Sequence, residues 1–143
     1  GVTSPRAQDY AVALGMAFQL TNILRDVGID ADDNRIYLPL DDLRACNCPE
    51  DVILQKIHSP EFRALMRKEA HRARHYYERA RSAFVALHPS ERRALIVAEI
   101  MRAIYSRILG KIEQSDYQVF GPRITLSTAH RLAVALGVWI RGS

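Results

Sequence analysis

The sequence contains few cysteines and no long apolar run. Only Cys46 and Cys48 are cysteines among its 143 residues, and a single residue separates them. A disulfide-dense scaffold needs several pairs, so this class is excluded and a reducing, cytoplasmic compartment is favoured. No stretch reaches the roughly 18 apolar residues typical of a transmembrane helix, and residues 1–6 lack the pattern of a signal peptide. We expect neither feature.

The sequence also lacks alternating apolar and polar runs joined by hairpin turns, so a β-sheet protein is not expected. Instead, apolar residues recur every three or four positions, and serine–proline pairs at Ser4 and Ser59 predict helix starts. The predicted helices cover residues 5–31, 40–45, 49–58, 60–87 and 89–118, with a last helix after Ser127. The predicted fold class is all-α, with long antiparallel helices and short connections.

Apolar residues mark one face of the first and of the last helix. In the first helix, Val12 and Met16 lie at helical spacing with the other apolar residues. In the last helix, the apolar residues between Leu132 and Ile140 are predicted to lie in the core, and contact with a membrane surface is the alternative.

Charge is distributed unevenly along the chain. Residues 1–60 contain 9 acids and 5 bases, whereas residues 61–143 contain 7 acids and 15 bases. The net charge of +4 and the pI of about 9.3 suggest a nucleic-acid binder. However, the arginines between residues 63 and 81 are spread around a helix without stacking aromatics, which favours a solvated helix face. We expect no nucleic-acid partner.

A polar stripe follows the first predicted helix. It consists of Gly15, Gln19, Asn22, Asp26 and Asp30, at steps of three or four residues that place them along one side. Carboxylates one turn apart are suited to Mg²⁺, which takes oxygen ligands from protein, water and phosphate. The alternative is a solvated helix face with incidental acids, but apolar residues on both sides of the stripe argue against simple exposure.

The segment after this helix adds groups that suit a phosphate ligand. Arg35 and Tyr37 follow within one short stretch. A guanidinium can bind phosphate oxygens through two parallel hydrogen bonds, and a phenol can donate a further one. Taken alone, each of these residues is also compatible with an ordinary loop.

Together these residues resemble a known family. Residues 19–30 (QLTNILRDVGID) and 35–39 (RIYLP) look like the second aspartate-rich region of the squalene/phytoene synthase family. A weaker similarity continues through residues 73–77, 104–109 and 117–127, so the resemblance covers essentially the whole chain. It implies an isoprenoid-synthase-type helical bundle.

The resemblance also implies an activity in isoprenoid biosynthesis, of the hopanoid or carotenoid kind. Members of the family join two prenyl diphosphates head-to-head, and Mg²⁺, with Mn²⁺ as an alternative, assists loss of diphosphate. The substrates are farnesyl diphosphate for squalene or presqualene and geranylgeranyl diphosphate for phytoene. The pattern RITLS at residues 123–127, followed by an apolar helix, favours the squalene or presqualene branch.

Individual roles follow from the same resemblance. The metal-binding acids correspond to Asp26 and Asp30. Three positions correspond to catalytic residues, namely Arg25, Tyr37 and Tyr105. Four others correspond to substrate-binding residues, namely Gln19, Asn22, Arg35 and Arg123, of which Arg123 requires a one-residue shift.

The chain departs from the family pattern in two respects. Ile29 stands where the family usually has an acid, and the family's earlier aspartate-rich helix has no counterpart in this sequence. We therefore expect residues 1–143 to be the C-terminal portion of a squalene/phytoene synthase-like domain, inactive alone, that pairs with the missing N-terminal half or with a second copy, because apolar faces of its long helices lack their partners. The alternative is a non-catalytic relative that acts as an assembly or interaction protein.

Overall fold

The computed structural model describes residues 4–142, with side chains described as far as residue 140. The helices are α1 (Pro5–Asp32), α2 (Leu40–Ala45), α3 (Glu50–Leu54), α4 (Pro60–Val85), α5 (Pro89–Ala94), α6 (Ile96–Gln114) and α7 (Thr128–Gly142). No strand occurs in the part of the chain that the structure describes. The all-α prediction is therefore confirmed.

The predicted helix starts are also confirmed by capping contacts. The side chain of Ser4 accepts a hydrogen bond from the backbone N–H of Ala7, and that of Ser59 accepts one from Phe62. Each serine is followed by a proline at the first helical position, where the missing N–H leaves no hydrogen bond unmade. Both long helices therefore begin where their sequences predict.

Two predicted helices end or break earlier than expected. The single helix predicted over residues 89–118 is two helices, α5 and α6, because Leu95 leaves the helical conformation with φ −100° and ψ 9°. The helix predicted over residues 49–58 ends at Leu54, and Lys56 has a left-handed φ of 55°. Apolar periodicity continues through such single-residue breaks, so it does not reveal them.

The two longest helices, α1 and α4, form the centre of the bundle. They run antiparallel, since Tyr10 near the start of α1 lies beside Phe84 near the end of α4, with ring centroids 5.5 Å apart. Further along α1, the hydroxyls of Thr21 and Tyr77 are hydrogen-bonded at 2.8 Å. Small residues on this face of α1, including Ala13 and Ala17, are fully buried and let the helices approach closely.

Helix α6 packs on another side of α1 and runs in the same direction. The Tyr10 hydroxyl donates a hydrogen bond to Glu99 at 3.0 Å, and the rings of Phe18 and Tyr105 lie 4.7 Å apart. These two contacts align the helices at two levels. They bring Tyr105 towards the C-terminal half of α1, where the polar stripe lies.

Several apolar residues of α1 and α7 are exposed. Val12 and Met16 on α1 are 60% and 40% exposed, and Leu132 and Ile140 on α7 are 66% and 62% exposed. The core prediction was wrong for Leu132 and Ile140 because a helical pattern marks a face as apolar but does not say which neighbour covers it. Among the described residues, none of the helices combines the length and the apolar composition that a membrane span requires.

Candidate functional site

The polar stripe of α1 lies on a face of the bundle that is open to solvent. Gln19 is exposed, and Asn22, Asp26 and Asp30 are half-buried. A Cβ built on Gly15 would meet no atom within 4 Å, so the stripe borders open space at its N-terminal end. The predicted alignment of these residues is therefore present in the fold.

Asp26 forms the centre of the charged part of the site. Arg25 donates to its two carboxylate oxygens at 2.9 and 2.7 Å, and Arg123 donates to the same two oxygens at 2.8 and 2.8 Å. Burial would raise the pKa of Asp26, but these hydrogen bonds outweigh it and hold the pKa at about 2. The carboxylate is therefore ionised and held between two guanidinium groups.

Asp30 lies one turn further along α1 in a different environment. Burial and the nearby charge of Asp26 raise the pKa of Asp30 above its ordinary value. Its side chain lines a recess of about 10 Å³ together with Arg35 and Tyr37. Arg35 also donates its backbone N–H to the Asp30 carbonyl at 2.9 Å, which turns the chain back beside the helix end. The structure thus brings these three predicted residues together.

Tyr105 connects α6 to the charged centre. The hydrogen bond to Asp26 is the main cause that raises the pKa of the Arg25 guanidinium, and the neighbouring Tyr105 raises it further. Its ring packs against Phe18. The side chain of Arg25 is only 10% exposed, whereas that of Arg123 is 49% exposed.

The oxygen donors of the stripe suit Mg²⁺ in part. Asp26, Asp30 and Asn22 supply hard oxygen atoms on one helix face, and the buried Oδ1 atom of Asn22 has no hydrogen-bond partner among the described residues. However, no group of three or more His, Cys, Asp and Glu side chains in residues 4–140 is arranged to hold a metal. The helix therefore provides ligands that fit the cation but not a complete protein cage.

Gly28 is a site residue that the sequence interpretation did not single out. A Cβ at this position would lie 2.5 Å from the carbonyl oxygen of Val119, so the segment that carries Arg123 packs directly on α1. A glycine inside a helix is unfavourable relative to alanine by about 1 kcal/mol, which is a signal that this position has a packing role. The identity of its partner could be found only from the fold.

The fold and this site define an all-α protein of the isoprenoid synthase class. A crystal structure of a dehydrosqualene synthase in complex with ligand superimposes with a TM-score of 0.76 at 29% identity, covering 94% of this chain and 47% of that chain. The family described as Squalene/phytoene synthase matches residues 1–130. The chain belongs to the squalene/phytoene synthase family, as its motif predicts.

Curated relatives agree with this assignment. The chain is 42% identical to the 15-cis-phytoene synthase of Synechocystis sp. over 134 residues, which are 94% of this chain and 39% of the relative. It is 45% identical to the phytoene synthase of Arthrospira platensis over 121 residues, 85% of this chain and 38% of the relative. The chain thus spans about two fifths of the length of these relatives.

Proposed function

We propose that this chain forms the diphosphate-binding wall of a head-to-head prenyl transferase. The observation that supports this most directly is the polar stripe of α1, where the half-buried Asp26 and Asp30 lie one turn apart beside Arg25 and Arg123. An ionised carboxylate held by two guanidiniums beside a second carboxylate is a charged surface suited to a cation and a diphosphate together.

Exposed apolar side chains lie further towards the start of α1, beyond the polar residues Gln19 and Asn22 of the stripe. Val12 and Met16 are exposed there, and on α6 Met101 is exposed between the residues that form the Tyr10–Glu99 and Phe18–Tyr105 contacts. From Val12 to Asp26 the helix rises about 21 Å at roughly 1.5 Å per residue. This face suits a long prenyl chain whose diphosphate lies at Asp26, with water kept away from the reacting carbon by apolar side chains.

Each polar residue has a defined part in this proposal. Arg123 and Arg35 are both exposed enough to turn towards diphosphate oxygens, and their charge offsets that of the departing group. Arg25 is positioned by its two hydrogen bonds to Asp26, and Tyr105 by its ring contact with Phe18. Tyr37, which is exposed, donates its hydroxyl proton in a hydrogen bond to the substrate. Gln19 and Asn22 line the same stripe.

Asp26, Asp30 and the Asn22 amide oxygen are the groups that would hold Mg²⁺, with Mn²⁺ as a substitute. Bound there, the cation would neutralise diphosphate charge as the carbon–oxygen bond breaks. To hold the cation, Asp26 would give up its contact with the half-exposed Arg123 and keep its contact with the more buried Arg25.

We assign the substrate to the geranylgeranyl class, which makes the reaction of the phytoene type. The relatives at 42% and 45% identity are both phytoene synthases. This support is stronger than that of the RITLS pattern, which favours the squalene or presqualene branch.

We further propose that residues 1–143 work as the C-terminal portion of a larger catalytic domain. The incomplete cation cage and the exposed Val12 and Met16 support a further layer of helices over this face, from the same protein or a second copy. The chain alone is then inactive. Leu132 and Ile140 on α7 remain available for a membrane surface.

A chimera tests the proposed function. This chain replaces the matching region of the Synechocystis phytoene synthase, and the product formed from labelled geranylgeranyl diphosphate and Mg²⁺ is measured, with farnesyl diphosphate as the comparison substrate. We expect phytoene-type product from the geranylgeranyl substrate. A chimera that folds but consumes neither substrate contradicts the proposal.

The matched variants are Asp26→Asn and Asp41→Asn. Asp26 lies in the proposed site, whereas Asp41 lies on α2 with a side chain that is 94% exposed. We expect Asp26→Asn to lower product formation by about 100-fold or more, as loss of a positioned electrostatic group does. Asp41→Asn should leave it unchanged.

A further inference from the structure

The segment between α6 and α7 contacts α1 at one point without any side chain between the two backbones. At Gly28, a Cβ would lie 2.5 Å from the Val119 carbonyl oxygen and 3.0 Å from the Phe120 Cα. Both atoms belong to backbone, so no change of rotamer could relieve the collision. Any larger residue at position 28 must displace the segment or the helix.

The same segment is held firmly on its other sides. Asp116 and Tyr117 both have left-handed φ angles, of 52° and 62°, which reverse the chain after α6. Arg63 binds the Asp116 carboxylate at 2.9 Å, and the ring of Phe120 stacks on Phe62 with centroids 4.5 Å apart. The distance between this segment and α1 is therefore set by the contact of its backbone with Gly28.

Arg123 follows Phe120 by three residues and reaches back to α1. It binds both carboxylate oxygens of Asp26 at 2.8 Å, and Asp26 lies two residues before Gly28 on the same helix. A displacement of about 1 Å or more at Val119 would lengthen these hydrogen bonds beyond the usual range of roughly 2.7–3.2 Å.

We propose that Gly28 is a positioning residue that places Arg123 at the Asp26 carboxylate by letting the Val119–Phe120 backbone lie directly on α1. The consequence for ligand binding rests on the proposed function, in which Arg123 then binds diphosphate. The placement of Arg123 itself does not depend on that function.

Other glycines of the chain supply matched controls. A Cβ at Gly121, in the same segment, meets nothing within 4 Å, and one at Gly110 on α6 meets only the flexible Nη2 atom of Arg74 at 3.4 Å. Gly121→Ala and Gly110→Ala therefore make the same chemical change as Gly28→Ala without a backbone collision.

The first readout is the NMR signal of the Arg123 Nε–H group in the 143-residue chain, assigned by its absence in Arg123→Lys. We expect Gly28→Ala to move this signal to the position of a solvent-exposed arginine, while the corresponding Arg25 signal is retained. Both control variants should leave the Arg123 signal unchanged. An unchanged signal in a folded Gly28→Ala variant overturns the inference.

The second readout is the affinity for inorganic diphosphate in the presence of Mg²⁺. We expect Gly28→Ala and Arg123→Gln each to weaken binding by about tenfold, and the double variant to be no weaker than either one. Additive losses would contradict action through Arg123. If the unmodified chain binds no diphosphate, the proposed function fails, and the NMR signal alone decides the placement of Arg123.

A further variant keeps the test decisive where Gly28→Ala does not fold. Phe120→Leu removes the ring stacking on Phe62 without adding an atom to α1. It should shift the Arg123 signal in the same direction by a smaller amount. A folded Phe120→Leu variant with an unchanged signal would show that the seating of this segment does not position Arg123.

Discussion

Asp26 and Asp42 each form ion pairs with two basic side chains, and these two clusters have different effects on the protein. Asp26 binds Arg25 and Arg123, whereas Asp42 binds Lys68 at 2.7 Å and Arg72 at 2.9 Å. In both clusters the pKa of the aspartate is held at about 2, and at Asp42 the largest cause is the hydrogen bond from Lys68.

The two clusters differ in which elements carry the basic side chains and in which groups lie beside them. Lys68 and Arg72 are one turn apart on α4, so Asp42 attaches the short helix α2 to a rigid element. Glu69, which is 1% exposed, lies next to them. Burial is the main cause that raises the pKa of Glu69 to about 7, and the adjacent Asp42 raises it further. Asp26 instead joins α1 to a loop arginine, at an open face. The ion pairs of Asp42 thus stabilise the fold, whereas those of Asp26 include a contact with Arg123 that a ligand can replace.

The largest expected effect separates the two clusters by activity. In the chimeric enzyme, Asp26→Ala should abolish product formation, because it removes a proposed cation ligand and the partner of Arg123 together. Asp42→Ala should keep activity within a few-fold at a temperature where it is folded. Equal losses in both variants would mean that Asp26 has only a structural role.

The next effect separates them by stability. Asp42→Ala removes two ion pairs at a carboxylate that is 11% exposed, and we expect the free energy of unfolding to fall by about 2 kcal/mol. Asp26→Ala should cost less, since it releases only the loop arginine Arg123, whereas Asp42→Ala releases the helix α2 from α4. Urea denaturation of both variants measures the difference, and a larger loss for Asp26→Ala would reverse the comparison.

A smaller effect depends on pH. The pKa of Glu69 is raised above its unfolded value of about 4.5, so the folded chain binds a proton that the unfolded chain has lost, and stability should fall as pH rises from about 5 to 7.5. The expected slope is at most about 1.4 kcal/mol per pH unit. In Glu69→Gln this decline should disappear.

At low pH, stability should instead rise with pH, in the unmodified chain and in Glu69→Gln alike. Asp26 and Asp42 have pKa values lowered to about 2, so the stability that they contribute is present above about pH 4 and is lost as pH falls towards 2. Guanidinium denaturation across this range tests both trends. A flat profile between pH 5 and 7.5 for the unmodified chain would contradict the raised pKa of Glu69.

The smallest effect is expected at an exposed ion pair that belongs to neither cluster. Arg44 and Asp41 lie 3.2 Å apart with side chains that are 77% and 94% exposed. Arg44→Ala should change the free energy of unfolding by less than about 0.5 kcal/mol, because solvent screens such pairs. A larger loss would show that charge pairing as such, and not its placement, determines stability in this chain.

Much of the candidate site could be predicted from the order of residues along α1. The carboxylates, amides and Gly15 share one side because helical spacing places residues three or four apart next to each other. The motif at residues 19–39 also identified the family correctly. The assigned roles of the individual site residues, and the use of Mg²⁺, stay predictions that the variants above address.

The sequence by itself determined the helical class, the capped starts of α1 and α4 and the alignment of the polar stripe, because these depend on interactions within a few residues. Only the tertiary structure decided which apolar faces are covered, that Arg123 reaches Asp26 from 97 positions away, and that Gly28 admits the backbone of Val119. These depend on how distant segments meet, and local spacing carries no information about that. The break at Leu95 is a local change of backbone conformation, yet the sequence does not reveal it, because the apolar spacing of the side chains continues through it.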